Sequence, residues 1–178
     1  MYHSAYVNAE KFYHKCCEKD IQSKKILDVG SCNVNGTMKP IFIKGQYVGL
    51  DIDEGPNVDV VGASHDMPFG NGEFDIIISS YCFEHDDMFW VSFKEMCRVL
   101  KPGGYIYINA PSAGPYHGHP GDSWRFYKDS WRSLEKWAHL NNFNVELIES
   151  YIDYDTPLGK NEGISWNDSV GIYRKKSI

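Results

Sequence analysis

A chain of 178 residues with 42% apolar and 24% charged side chains is long enough for one domain whose core needs no staple. Its net charge of −6 argues against nucleic acid as a direct partner, because phosphate binding calls for a basic face. Cys16, Cys17, Cys32, Cys82 and Cys97 form no C-x-x-C pair, no apolar run approaches a membrane span, and Met1-Tyr2-His3-Ser4 begins no signal peptide. Free thiols, no membrane and a cytoplasmic setting are the expectation.

Tyr2, Tyr6, Ala9, Tyr13 and Cys16 recur at helical spacing, which predicts an N-terminal amphipathic helix over about 4–19. Lys25–Val29 reads as the first strand, and Pro40 and Gly45 keep any helix after Gly36 short. The second strand is Tyr47–Asp51, and Asn57–Val61 follows as a short third. Phe74–Ser79 is nearly all apolar, as in a parallel strand covered on both faces. Phe89, Phe93, Met96 and Leu100 then share a helical stripe, with Asp86 and Asp87 at the helix start, where carboxylates oppose the dipole.

Lys101-Pro102-Gly103-Gly104 should end that helix, with a fifth strand over Tyr105–Ala110. A loop rich in Gly, Pro, His and aromatic residues spans 111–127. Asp129 is expected to cap a helix carrying Trp131, Leu134 and Ala138. Strands near Val145–Ser150 and Ser169–Arg174 complete one domain over 1–178, a single, mostly parallel α/β sheet.

The most informative stretch is Leu27-Asp28-Val29-Gly30-Ser31-Cys32-Asn33-Val34-Asn35-Gly36. An apolar strand runs into a glycine-bearing turn, and the next strand ends in Asp51. A turn open to close backbone approach, followed by a carboxylate at a neighbouring strand's end, forms a nucleotide-binding arrangement. Gly30 admits that approach; Asp51 is placed to accept hydrogen bonds from two ribose hydroxyls. Two roles stand for Asp28: ligand contact, or a scaffold tying down neighbouring groups.

Four segments in register resemble the class I S-adenosylmethionine-dependent methyltransferases, in their small single-domain branch. Leu27–Ser31 is similar to the first motif and Val48–Asp51 to the ribose motif. His65–Phe69 with Gly72–Asp75 is similar to the adenine loop and fourth strand. Phe83-Glu84-His85 and Arg98–Gly104 are similar to the post-strand motif and the helix stop. The resemblance covers about 24–174.

It implies a Rossmann-like, seven-stranded, mostly parallel sheet with one antiparallel strand, order 3-2-1-4-5-7-6, and helices on both faces. It also implies S-adenosylmethionine as cofactor and a small-molecule or glycan acceptor, in a monomer or homodimer. Asp28, Gly30, Ser31, Gly36, Asp51, Ile52, Ser64, His65, Ser80 and Tyr81 would then lie at the cofactor, with Ser80 and Tyr81 near the sulfonium. The residue at 63 is Ala rather than the family's Asp, so adenine would rest on the Ser64 or His65 backbone and on apolar contacts.

His85 follows the fourth strand and titrates near neutrality in its ordinary state, which makes it the candidate general base. The alternative is that Glu84 and His85 only cap the next helix. In the 111–127 loop, His117, His119, Trp124 and Arg125 are the candidate acceptor contacts, under a lid with glycine hinges. The alternative there is that Trp124 and Phe126 pack on the sheet while Arg125 pairs with a carboxylate. The loop's two histidines and one aspartate match no common ligand spacing, so no metal is expected. Two rivals remain: a nicotinamide-dependent oxidoreductase, which would want G-x-G-x-x-G, and a catalytically silent module of the same fold.

Overall fold

The computed structural model describes residues 3–118, 121–154 and 167–177. Within them, α1 (His3–Phe12) precedes β1 (Lys25–Val29), α2 (Lys39–Phe42), β2 (Gln46–Asp51) and β3 (Val60–Val61). Next come β4 (Phe74–Ser80), α3 (Phe89–Val99), β5 (Leu100–Pro111), α4 (Lys128–Leu140), β6 (Val145–Asp153) and β7 (Asp168–Lys175). One sheet holds all seven strands in the order β3-β2-β1-β4-β5-β7-β6. β7 alone runs antiparallel, against β5 and β6. The sheet order and the placement of the helices agree with the expected architecture.

Alternation along the strands sends successive side chains to opposite faces. Leu27, Ile77, Ile106, Ile108 and Tyr173 pack under Phe93 and Met96 of α3 and Trp131 and Leu134 of α4. Ile26, Ile76, Ile78, Tyr107 and Val170 lie under Ala9 and Phe12 of α1 and Phe42 of α2. Each large apolar side chain so buried contributes about 1.5–3 kcal/mol, and the central strands are covered on both sides. Because β1 pairs with β2 on one side and β4 on the other, the chain's direction of winding reverses there. In open α/β sheets, ligands bind in the crevice outside the carboxyl ends of the strands at such a reversal.

Four local expectations are corrected. The first helix stops at Phe12 and continues as a π-helical turn over Tyr13–Cys17. That wider turn moves the buried stripe by one position, so Ala5, Ala9, Phe12, Tyr13 and Cys17 are buried while Tyr6 and Cys16 are only half-buried; Tyr2 lies outside the described residues. The third strand is two residues rather than five, since only Leu50 and Asp51 offer it pairing.

The fifth strand begins at Leu100, directly after α3. Phe74 pairs with Leu100 and Ile76 with Tyr105, so Lys101–Gly104 bulges out, with Gly103 at φ 83°. The chain therefore turns from helix to strand before the Pro-Gly-Gly segment. Finally, α4 starts from Tyr127, whose amide donates to Ser130 Oγ at 3.2 Å. Asp129 sits in its first turn rather than at the cap.

Arg98, near the end of α3, braces the 64–72 loop. Its guanidinium donates to the carbonyls of Phe69 at 2.8 Å and Met67 at 3.0 Å, and to Glu95 at 2.7 Å. One basic side chain thus positions the loop that borders the crevice.

Candidate active site

The turn after β1 is held by its own chain. Gly30 and Ser31 both donate to Leu50 O, Asn33 to Pro56 O and Val34 to Cys32 O. Cys32 donates to Asp51 Oδ2 and Gly36 to Asn33 Oδ1. Six of the seven amides over residues 30–36 are thereby engaged. Gly30 has φ 79°, and a Cβ there would lie 2.5 Å from Cys82 Cβ. Its glycine requirement is met by packing against Cys82, which the sequence reading did not foresee. Ser31 is buried and donates to Asn57 O at 3.2 Å, so its hydroxyl braces the turn.

Asp51 ends β2 with its carboxylate accepting from Cys32 N at 2.9 Å and Ile52 N at 2.8 Å. Each oxygen has a further lone pair. Ile52 beside it and Val34 across the turn are 66% and 79% exposed, apolar side chains at the rim. Asp28 is buried and accepts from the Tyr47 hydroxyl. Burial pushes its pKa up to about 7, with the Tyr47 hydrogen bond opposing and the Asp51 charge adding to the rise.

On the far side of β1, Ser64 donates to Asp86 Oδ2 at 3.1 Å, and its hydroxyl oxygen lies 2.9 Å from Ser92 Oγ. Ser92 also donates to Asp86. His65 is exposed. This hydroxyl–carboxylate knot ties the 64–72 loop to the segment after β4. Burial pushes the Cys82 thiol well up, and Asp86, Glu84 and Asp51 add to the rise in that order.

Past β4, Tyr81 takes φ 52°, and its hydroxyl donates to Asp168 Oδ1 at the start of β7. Ser80 and Asn109 are paired positions, as are Pro111 and Asp168. Ser80 Oγ, the Tyr107 hydroxyl, both amide atoms of Asn109, Asp168 Oδ2 and Asn8 Nδ2 are buried without a hydrogen-bond partner among the described residues. Burial raises the Asp168 pKa, opposed by hydrogen bonding with Ser4, Tyr81 and Asn109, the last of which lies against it. Unmatched buried polar atoms of this kind each cost about 1–3 kcal/mol, and they gather beneath α1. Sequence reasoning missed Asn109 and Asp168; their signal was polar residues ending two otherwise apolar strands.

Among its described residues, the 111–127 loop is fastened to the segment after β4. Glu84 O accepts from Ser123 N at 2.7 Å and Trp124 N at 3.3 Å. Trp124 Nε1 donates to Asp86 O at 3.1 Å and Ser123 Oγ to Asp87 Oδ1 at 2.8 Å. Trp124 packs edge-on against Phe89 and Trp90. Arg125 donates to both oxygens of Asp122 and to Pro115 O, and its charge pulls the Asp122 carboxyl down to about 2. Trp124 and Arg125 thus make the packing and ion-pair contacts that stood as the alternative to acceptor contact.

His85 sits where β4 meets this loop. Its Nδ1 donates to Gly121 O, and its Nε2 lies 3.7 Å from Glu84 Oε1. His117 stacks edge-on against it, ring centroids 5.0 Å apart, with its backbone amide on Asp122 Oδ2 at 2.9 Å. Glu84 is fully buried with neither carboxylate oxygen hydrogen-bonded among the described residues, and burial pushes its pKa up to about 8. His119 lies outside the described residues.

Seven strands in this order, a carboxylate ending β2 and an acceptor-rich crevice beside β1 define the architecture of a class I S-adenosylmethionine-dependent methyltransferase domain. Residues 27–108 match the family model described as a methyltransferase domain, in keeping with that resemblance. It is 30% identical over 119 residues to the fatty-acid O-methyltransferase of Mycolicibacterium smegmatis, covering 56% of this chain and 42% of that protein. It is 31% identical over 113 residues to the demethylmenaquinone methyltransferase of Staphylococcus carnosus, covering 53% and 47%.

The chain thus spans less than half the length of these curated relatives. In fold it is similar to the Burkholderia thailandensis 1,6-didemethyltoxoflavin-N1-methyltransferase solved with its substrate and S-adenosylhomocysteine. That match has a TM-score of 0.71 and 17% identity, over 98% of this chain and 79% of that one.

Proposed function

We propose that this domain binds S-adenosylmethionine in the crevice beside β1 and transfers its methyl group to a polar small-molecule or glycan acceptor. The observation that carries the reading is the donor and acceptor balance of the crevice. Its turn amides are spent on the protein itself, while the Asp51 carboxylate stands at the end of β2 with lone pairs to spare. A dinucleotide needs free amides for its pyrophosphate. A ligand with a sulfonium, an ammonium and two ribose hydroxyls needs acceptors and negative charge. The residues fit the second ligand, and they speak against the nicotinamide rival.

When bound, the cofactor supplies an electrophilic methyl on a sulfonium. Asp51 would accept the ribose hydroxyls, while Ile52 and the Ser64–His65 backbone would flank the adenine. Gly30 and Gly36 shape the turn beneath, Ser31 and Asp28 brace it, and Ser80 and Tyr81 border the methionine end. Most of the rate would come from holding the acceptor in line. His85, fixed by Gly121 O with Glu84 beside it, would hold a proton at Nε2. The unmatched polar atoms of Ser80, Asn109 and Asp168 favour an acceptor rich in hydrogen-bonding groups over a long alkyl chain.

Thermal-shift and calorimetric titrations with S-adenosylmethionine, S-adenosylhomocysteine and NADH test the first half. Stabilisation by the first two is expected; stabilisation by NADH alone would overturn the proposal. Release of S-adenosylhomocysteine across a panel of hydroxylated and aminated acceptors and glycans tests the second half. Cofactor binding with no turnover on any of them would favour the silent module.

A further inference from the structure

The junction between the β4 end and the docked loop contains a carboxylate with no assigned partner. Glu84 is fully buried, and neither carboxylate oxygen has a hydrogen-bond partner among the described residues. A carboxylate in that position is expensive unless a cation meets it. The nearest basic side chain in the loop, Arg125, is spent on both oxygens of Asp122. What Glu84 faces instead is imidazole.

His85 is held in a ligating tautomer. The carbonyl of Gly121 can only accept, so Nδ1 carries the proton. In the neutral ring this leaves the lone pair on Nε2, the atom 3.7 Å from Glu84 Oε1. A backbone carbonyl on the distal ring nitrogen is the support that metal-bound histidines characteristically have. His117 is the third member. Its backbone is fixed by Asp122, which Arg125 in turn clamps, and its ring lies edge-on to that of His85.

One ligand atom from each of Glu84, His85 and His117 lies within 4.8 Å of the others. Donors sharing one ion at about 2.0–2.2 Å stand roughly 3–4 Å apart, so an inward shift of about 1 Å would close the set.

We propose that Glu84, His85 and His117 form a binding site for a divalent transition-metal ion of the zinc type. Two imidazoles and one carboxylate suit Zn²⁺ and its first-row neighbours, whereas Mg²⁺ and Ca²⁺ prefer all-oxygen sets. The ligands come from two segments more than thirty residues apart in sequence. The ion therefore fastens the 111–127 loop to the end of β4. Three protein ligands also leave a position for water or for an oxygen of the acceptor. The inference goes beyond the methyl-transfer reading and does not need it to hold; an ion on His85 Nε2 takes the atom that reading gives to proton transfer, so His85 serves one role or the other.

The test uses the whole chain, stripped with a chelator and titrated in separate experiments with ZnCl₂, CoCl₂ and MgCl₂. Expected are one Zn²⁺ per chain by calorimetry, no Mg²⁺ binding, and a Co²⁺ visible spectrum without the near-ultraviolet thiolate charge-transfer bands that the five cysteines would produce. Glu84→Gln and His117→Ala should each weaken Zn²⁺ at least tenfold. His117→Ala, on the loop, also covers the outcome in which Glu84→Gln fails to fold. Stoichiometric binding unchanged in a folded His117→Ala, a thiolate-type Co²⁺ spectrum, or no Zn²⁺ binding at all would overturn the proposal. S-adenosylhomocysteine binding measured on the same samples separates this outcome from failure of the cofactor assignment.

Discussion

Replacing Asp51 with alanine probes the cofactor assignment most directly. In the free protein the carboxylate accepts two backbone amides, from Cys32 at 2.9 Å and Ile52 at 2.8 Å. Ile52 is exposed and its amide can turn to water, so the cost to the free fold is that of one half-buried amide, about 1–2 kcal/mol. If the same carboxylate accepts two ribose hydroxyls, each charge-assisted bond contributes about 1.5–3 kcal/mol. Affinity should then fall by roughly 3–6 kcal/mol, on the order of 10² to 10⁴-fold. Calorimetry with S-adenosylhomocysteine reads the affinity, and thermal denaturation without ligand reads the fold. A variant that melts a few degrees lower yet binds within about fivefold of the parent would refute the reasoning. Asp51 would then be a turn brace and nothing more. Asp51→Asn, which keeps one carbonyl acceptor, should fall between the two.

Gly30→Ala should destabilise by roughly 2–5 kcal/mol in urea denaturation, combining overpacking with strained backbone, since its Cβ would lie 2.5 Å from Cys82 Cβ at φ 79°. Adding Cys82→Gly should restore the packing part but not the strain; no recovery would mean that the clash lies elsewhere. Asp28 has a folded pKa raised from 3.8 to about 7, so the native state keeps a proton that the unfolded chain has lost. Its contribution turns unfavourable as pH rises from about 4 and is fully so above about 7. Asp28→Asn should gain on the parent by up to about 4 kcal/mol between pH 4 and pH 8; parallel stability curves would show that Asp28 ionises normally. Arg125→Ala should release Asp122 and speed amide exchange at Ser123 and Trp124, whose partner is Glu84 O. Unchanged exchange would mean that the loop is held by Trp124 alone.

The framework of this fold was legible because its strands are covered on both faces. Lys25–Val29 and Phe74–Ser80 read as strands from apolar content alone, and Gly30, Asp51 and the Arg98–Gly104 segment supplied landmarks for the sheet order. What stayed hidden depends on partners distant in sequence. The π-helical turn at Tyr13–Cys17 leaves a sequence period that still looks α-helical. Asp168 meets Tyr81 across 87 residues, and Cys82 fills the space above Gly30; no local pattern encodes either contact. The helix stop was placed late because Pro-Gly-Gly is a strong breaker signal, yet Leu100 already pairs with Phe74. Bulging out four residues costs less than unpairing that end of β4.

The docked loop changes where an acceptor would be read. Glycines at 114, 118 and 121 suggest hinges, but Ser123 and Trp124 are fastened to the carbonyl of Glu84, and Phe126 donates to Pro111 O at 2.9 Å. A segment with these anchors can open only by breaking several hydrogen bonds and the Phe89–Trp124 contact together. Trp124 and Arg125 therefore shape the wall rather than swing with a substrate. Selectivity would then rest on the polar floor beneath α1, where Ser80, Asn109 and Asp168 hold unmatched hydrogen-bonding atoms. A buried acceptor or donor without a partner discriminates strongly, because a ligand that lacks the complementary group leaves its cost unrelieved. In this molecule the cofactor would be chosen at β1 and β2, whereas the acceptor would be chosen at β5 and β7.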